Sequence, residues 1–254
     1  MSRRRTGRRS TGAAVYSVFA FLLVAFLTVL GTSAFLKIMQ VDVVGASRYS
    51  DEIIIEVSGI SAGDNMLFVD TGEAINRIHS AMPYVSSVQI TRVPPDTIRI
   101  EVEESVALAT IIYRDEVLVI DSTGRVLQRA GSIPDGLIEV RGFTPSDPEE
   151  GSLMKAEFGS ETQLRYLTEV LAAIEEAKIN SDVPYLDVSN ISYITFGYKG
   201  RFTVILGGSN NARNKLNQLT TSIVIEIETR EPDGVTGTIN MSDPTGRYTW
   251  NADA

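Results

Sequence analysis

Between Ala13 and Leu36 the chain reads AAVYSVFAFLLVAFLTVLGTSAFL, 24 positions without a charged residue. At about 1.5 Å per residue, a helix of that length covers the roughly 30 Å hydrocarbon core of a bilayer. A helix that is apolar on every side and flanked by arginines suits lipid better than a protein core. A cleaved secretory signal ending near Thr32-Ser33-Ala34 is the competing reading, but such signals carry an apolar core of only about 7 to 15 residues. The run therefore predicts a membrane span over 13–36. Arg3, Arg4, Arg5, Arg8 and Arg9 precede it, and Lys37 alone follows closely. That asymmetry places the tail 1–12 in the cytoplasm and the rest of the chain outside.

Residues 1–40 hold these six basic residues and no acidic one. With a net charge of −9 for the whole chain, taking away those six leaves −15 on residues 41–254. A body so acidic repels phosphate instead of releasing its counterions, which excludes nucleic acid as a partner. The chain has no cysteine, so this outer body must hold itself together by burial alone.

Periodicity supplies the cores. Residues 38–45 alternate into a strand closed by Gly45. Ser50 is a helix cap with Asp51 and Glu52 in the first turn, and Ile53, Ile54, Val57 and Ile60 form a stripe that ends at Gly59. A second helix starts at Asp70, where Glu73 completes a capping-box pattern, and Ile75, Ile78 and Met82 share a side before Pro83 stops it. Residues 88–104 then read as a hairpin. Val88 and Ile90 alternate on one arm and Ile98, Ile100 and Val102 on the other, with Pro94, Pro95 and Asp96 forcing the turn. The order is strand, helix, helix, strand, strand.

The remainder reads as a second, β-rich unit. Val117–Leu127 is a hairpin around Asp121-Ser-Thr-Gly124, and the Pro, Gly and acidic residues of 142–159 are loop chemistry. Ser160 with Gln163 reads as a capping box for a helix striped by Leu164, Leu167, Leu171 and Ile174. Arms at 191–195 and 201–206 flank a turn at Gly197–Gly200, and a helix from about Asn211 carries Ala212, Leu216, Leu219 and Ile223 on one face. The expected fold class is α+β: tail 1–12, transmembrane helix 13–36, a first domain 38–106, a β domain 107–246 and a C-terminal tail 247–254.

Catalytic parts are scarce. His79 is the sole histidine, so serine and cysteine triads and histidine-based zinc sites lack components. Glu101, Glu103 and Glu104 could suggest a glycosidase pair, but Glu101 and Glu103 alternate with Ile100 and Val102 and so belong to a solvated sheet face. Asp121–Gly124 is a hairpin turn, since the glycine-rich cradle and lysine of a phosphate loop are missing. The sequence predicts no enzyme, no cofactor, no metal site and no small-molecule substrate.

Val41-Asp-Val-Val-Gly45, Gly63-Asp-Asn-Met-Leu67, Met82-Pro-Tyr-Val-Ser-Ser-Val88 and Arg92-Val-Pro-Pro-Asp-Thr-Ile-Arg-Ile-Glu-Val-Glu-Glu104 together resemble a POTRA domain. In that reading Arg92, Pro94, Pro95 and Asp96 are structural residues of its hairpin. One such domain directly after a single N-terminal membrane helix resembles the bacterial cell-division family FtsQ/DivIB. Val117–Leu127 and Gly237-Thr-Ile-Asn-Met-Ser242 are similar to the hairpin and closing strand of that family's second domain. The resemblance implies a non-enzymatic scaffold of the divisome at the septal membrane, single-pass, with its outer domains required for septum formation. Its implied partners are FtsB/DivIC and FtsL-type coiled-coil proteins, and through them the septal peptidoglycan synthase or transpeptidase complex. Alternatives are an anchored wall hydrolase using a carboxylate pair and a POTRA transport or assembly component, though the latter's series of long barrel strands is missing.

In the resembling family the far end of the β domain takes a strand from its partner, which puts the candidate docking residues here at Ile239, Met241, Arg247, Tyr248 and Trp250. Aromatic and arginine anchors of this kind dominate interfaces. A competing expectation is that Tyr248 and Trp250 fold back onto their own domain's core.

Overall fold

The structure, a computed structural model, describes residues 11–230, 234–243 and 245–253, with side chains at 15–27 and from Leu36 onward. Arg3, Arg4, Arg5, Arg8 and Arg9, on which the orientation reading rests, lie outside the described residues. The first helix, α1 (Thr11–Phe35), is 25 residues long. Its described side chains, those of 15–27, are all exposed. Among the described residues no helix is long and apolar enough to cross a membrane.

The chain divides into two compact units, one reaching to Ile78 and including Ser87–Glu103, the other made of His79–Ser86 and everything from Glu104 onward. The first has the expected order: β1 (Gln40–Val44), α2 (Asp51–Ser58), α3 (Thr71–Ala81), β2 (Val85–Val93) and β3 (Thr97–Glu104). Strand β3 is central, with β1 parallel on one side and β2 on the other. Its alternation is realised, since Ile98, Ile100 and Val102 are buried while Arg99, Glu101 and Glu103 are exposed. Gly45 ends β1 at φ +92°, where a Cβ would sit 2.2 Å from the Val102 carbonyl oxygen. Only glycine lets the two strands run this close while the chain turns.

The helix signals work unevenly. Asp70 Oδ1 accepts the Glu73 amide at 3.0 Å, so the predicted cap forms, whereas the Glu73 side chain pairs forward with Arg77 and does not reach back. Ser50 occupies the cap position without a side-chain cap bond. Glu52 is held below its usual carboxylate pKa by its backbone hydrogen bond and by Ser50. The α2 stripe is narrower than expected: Ile54 and Ile60 are buried, but Ile53 is 48% exposed and small Ser58 takes an inward position. An eight-residue helix has only two full turns, so just one residue per turn reaches the core.

The second unit is a nine-stranded mixed sheet with helices packed on it. In chain order come β4 (Ala109–Tyr113), β5 (Glu116–Ile120), β6 (Val126–Ala130), β7 (Ile138–Arg141), the two-residue β8 (Pro145–Ser146) and β9 (Lys155–Ala156), and α4 (Glu161–Ala177). There follow β10 (Tyr185–Asp187), β11 (Ile194–Tyr198), β12 (Phe202–Gly207), α5 (Ala212–Gln218), α6 (Val224–Arg230), β13 (Gly237–Asn240) and β14 (Thr249–Ala252). The sheet order is β14-β13-β12-β11-β10-β7-β4-β5-β6, while β8 and β9 pair with each other. Leu167, Leu171 and Ile174 of α4 and Leu216, Leu219 and Ile223 along the C-terminal helices join one continuous core with the sheet. Fully burying each such side chain is worth roughly 1.5–3 kcal/mol.

Four expectations are corrected. The Ser160–Gln163 capping box does not form; Gln163 Nε2 donates instead to the carbonyls of Gly142 at 2.6 Å and Val188 at 2.8 Å, tying two loops together. Gly197 lies in β11 and not in a turn, because Gly197 and Tyr198 pair with Thr203 and Phe202, leaving Lys199 and Gly200 to turn. The helix from Asn211 is interrupted by a wide turn over Leu219–Ile223, which shifts the inward face by one residue and buries Val224 and Ile227. Finally, 247–254 is not a tail: residues 249–252 form β14, paired antiparallel with β13.

Candidate functional site

The C-terminal end of the sheet collects the candidate residues. Strand β13 runs parallel to β12, with Ile239 beside Val204, and β14 closes the edge with Trp250 opposite Ile239. Ile239 is fully buried and Met241 is 3% exposed, so these two fasten the strand and do not face a partner. Trp250 is half-buried and meets Phe202 edge-on at 5.6 Å between ring centroids. Its indole lies over Gly237, where a Cβ would come within 2.5 Å of the ring and 2.3 Å of the Asn251 carbonyl oxygen. The glycine that opens β13 is therefore what lets the tryptophan lie flat against the sheet.

Tyr248 packs against the same core and donates its hydroxyl to Glu226 Oε2 at 2.7 Å. That hydrogen bond to a carboxylate, with some burial, raises the phenol's pKa. Glu226 also pairs with Arg230. Two residues beyond Glu226 along α6, Glu228 faces Arg201 and Lys199, each at 3.5 Å. Arg247 is exposed; beside it Asp243 is held low chiefly by the Thr245 amide, with a smaller attraction from Arg247.

The backbone pattern defines what the edge offers. Asp253 N–H donates to Thr236 O at 2.9 Å, and Gly237 N–H turns the other way, to Arg201 O at 3.2 Å. In an antiparallel ladder hydrogen-bonded and non-bonded pairs alternate. The Ala252–Gly237 pair is thus of the second kind, and the amide and carbonyl of Ala252 point away from β13. At the opposite edge β6 is covered by the loop before β9, through Val126 N–H to Ser152 O at 3.0 Å and Gly151 N–H to Val126 O at 2.8 Å.

Elsewhere the residues behave as structure. Asp121 is buried and accepts the Thr123 amide, the Arg125 amide and the Ser105 hydroxyl, at 2.9, 2.9 and 2.8 Å, closing the β5–β6 turn. His79 is half-exposed on α3. Among the described residues no three His, Cys, Asp or Glu gather as a metal site. In the first unit's hairpin Arg92 reaches the carbonyls of Met66 and Val69, both at 2.8 Å, and the Asp96 carbonyl accepts the Met39 amide at 2.8 Å. Pro94 and Pro95 lie exposed at the turn between β2 and β3. Sequence reasoning missed Phe202, Glu226 and the role of Gly237. The opening glycine of the closing strand was the available signal.

A strand-helix-helix-strand-strand module with β1 and β3 parallel is the POTRA arrangement, and residues 36–105 match the family model of the POTRA domain, FtsQ-type. Similar proteins include the cell division protein DivIB of Clostridium botulinum (strain Hall), 27% identical over 201 residues, which covers 79% of this chain and 77% of that protein. The cell division protein FtsQ of Corynebacterium glutamicum is 32% identical over 139 residues, 53% of this chain and 62% of that one. DivIB of Clostridium tetani is 26% identical over 226 residues, 88% of this chain and 83% of its own. Residues 36–105 thus carry an FtsQ-type POTRA domain, and the chain is similar over much of its length to cell division proteins named FtsQ and DivIB.

Proposed function

We propose that this protein is a non-enzymatic, membrane-anchored scaffold of the bacterial division machinery. Residues 13–36 span the membrane, the basic tail lies in the cytoplasm, and the two units stand outside at the septum. The names of its relatives, all cell division proteins, support the division role. The observation that carries the docking part is the edge strand β14, whose Ala252 backbone groups point outward from a fixed sheet end. A strand of an FtsB/DivIC-type partner adds there, with Arg247, Tyr248 and Trp250 beside it, and FtsL-type proteins and the septal peptidoglycan synthase follow in the same assembly. Main-chain hydrogen bonds give such an addition its affinity, and flanking side chains give it selectivity.

The test is Ala252→Pro in the full chain, which removes one outward amide at an edge position where proline is tolerated. Wild type extracted in detergent from dividing cells should retain the FtsB/DivIC-type protein, and the variant should lose it at an unchanged unfolding temperature. Retention by the variant would sink strand addition at β14. Peptidoglycan cleavage by the purified chain, abolished when one carboxylate is changed to its amide, would sink the non-enzymatic reading.

A further inference from the structure

The loop 63–69 of the first unit presents two adjacent exposed apolar side chains, Leu67 at 51% and Phe68 at 76%. Single exposed hydrophobics are ordinary, but this pair sits on a turn held in place from several directions. Met66, next to it, is buried at 2%. The turn is also spliced to the chain leaving α1: Met66 N–H donates to Leu36 O at 2.9 Å, Ile38 N–H to Asp64 O at 2.8 Å and Gly63 N–H to Ile38 O at 2.7 Å. Leu36 directly follows the last residue of α1.

The backbone of the turn is self-sufficient. The Leu67 amide donates to Asn65 Oδ1 at 3.0 Å, and the Phe68 and Val69 amides donate to the Asn65 carbonyl at 2.9 and 3.2 Å. The Arg92 guanidinium serves the carbonyls of Met66 and Val69. Entry of backbone into a low-dielectric layer is costly chiefly through unsatisfied amides, and the amides of 66–69 are all satisfied inside the protein. Paired Cα atoms across such a splice lie about 5 Å apart, and two further residues add at most about 7 Å. Phe68 is therefore within roughly 12 Å of the point where the helix ends, comparable with the 5–8 Å interfacial layer on each side of a bilayer once the side chain's own reach is added.

We infer that Leu67 and Phe68 insert into the outer interfacial layer of the membrane, so that the POTRA unit rests on the bilayer instead of swinging freely from its anchor. The inference rests on the proposed span over 13–36. Lys37, exposed on the same splice opposite Asn65, is placed to reach lipid phosphates. Asp64 and Asp70 flank the turn, so the contact is apolar insertion into neutral lipid and gains nothing from anionic headgroups.

A chain without native cysteine allows a direct test in the full-length protein. Leu22→Cys, Phe68→Cys and Ser132→Cys are each labelled with a nitroxide and placed in phosphatidylcholine nanodiscs, and collisions with oxygen and with a water-soluble nickel chelate are compared. The expected result is a loss of nickel collisions at positions 22 and 68, with full nickel access at exposed position 132. Nickel access at 68 with protection at 22 would overturn the docking inference and leave the span standing. Nickel access at 22 would overturn the span and the docking together. Unchanged thermal unfolding of the Phe68→Cys protein shows that the label reports an intact turn.

Discussion

The Tyr248 hydroxyl donates to Glu226 Oε2 at 2.7 Å, so a residue just ahead of the last strand is fastened to the last helix. Together with Trp250 on Phe202, it makes the C-terminal strand part of its own domain's core. The expectation that Tyr248 and Trp250 fold back onto their own domain is thus the one the packing realises.

Trp250→Ala removes a half-buried indole and an edge-on aromatic contact of the kind worth about 0.5–1.5 kcal/mol beyond area. Tyr248→Phe removes one partly exposed hydrogen bond, worth about 1 kcal/mol or less once solvent screening is counted. Thermal unfolding should therefore fall distinctly for Trp250→Ala and slightly for Tyr248→Phe. Equal shifts would mean that the indole is not packed as described.

Alkaline pH should destabilise the second unit. Tyr198 has its pKa raised mainly by burial, with nearby Asp182 and Glu228 adding to it, and Tyr248 mainly by its bond to Glu226. Both phenols favour the neutral form more strongly in the folded state. Their contribution is complete below the unfolded tyrosine pKa of about 10 and is lost as pH rises from there through the raised folded values. Unfolding temperature measured on either side of that value should drop on the alkaline side, and Tyr198→Phe should flatten the drop. An equally steep fall in the variant would remove Tyr198 as the cause.

Glycine substitutions separate crowding from backbone strain. Gly45 and Gly63 have similar positive φ, +92° and +98°, but a Cβ at Gly45 meets the Val102 carbonyl oxygen at 2.2 Å, while at Gly63 nothing lies within 4 Å. Gly63→Ala should cost about 1–3 kcal/mol from conformation alone. Gly45→Ala should cost clearly more, because β1 has to move off β3. Denaturant midpoints of the two variants check the order, and a Gly45→Ala protein no less stable than Gly63→Ala would contradict the β1–β3 contact.

The first unit was legible in the sequence because its signals are local. Alternation at Ile98, Ile100 and Val102, the Asp70 cap and the Pro94–Asp96 turn each act within a few residues and were realised as read. The misreadings involve partners distant in sequence. Gln163 bonds carbonyls 21 and 25 residues away in place of capping its own helix, and Gly197 is a strand residue because of what β12 offers it. Strand β14 could not be foreseen from TWNA, a short segment with one large apolar residue that becomes a strand only because β13 presents a free edge. Which residues of this edge face inward is decided by Phe202 and Gly237, both distant in sequence from β14.

The orientation of the anchor has a simple check. In the proposed topology, read from five arginines before an uncharged run and a single lysine after it, the start of the chain lies in the cytoplasm. A phosphatase active only after export should work when fused after Lys37 and fail when fused before Ala13. The reverse pattern would invert the protein and put the POTRA unit inside the cell.

Besides the backbone splice to Leu36 and Ile38, the 63–69 turn is held from outside by the Arg92 side chain. Its Nε and one terminal nitrogen serve two carbonyls three residues apart, Met66 and Val69, from a strand more than twenty residues away. A lysine keeps the charge but presents one compact ammonium in place of a planar fork, so Arg92→Lys should hold one carbonyl and release the other. The loss in overall stability should be modest, about 1 kcal/mol, because the side chain is exposed and water replaces part of what is lost. The loss of local order should be larger: the amides of Leu67, Phe68 and Val69 should exchange with solvent markedly faster in the variant, while those of β3 change little. Unaltered exchange at these three amides would show that the Asn65 bonds suffice to hold the turn and that Arg92 serves the hairpin alone.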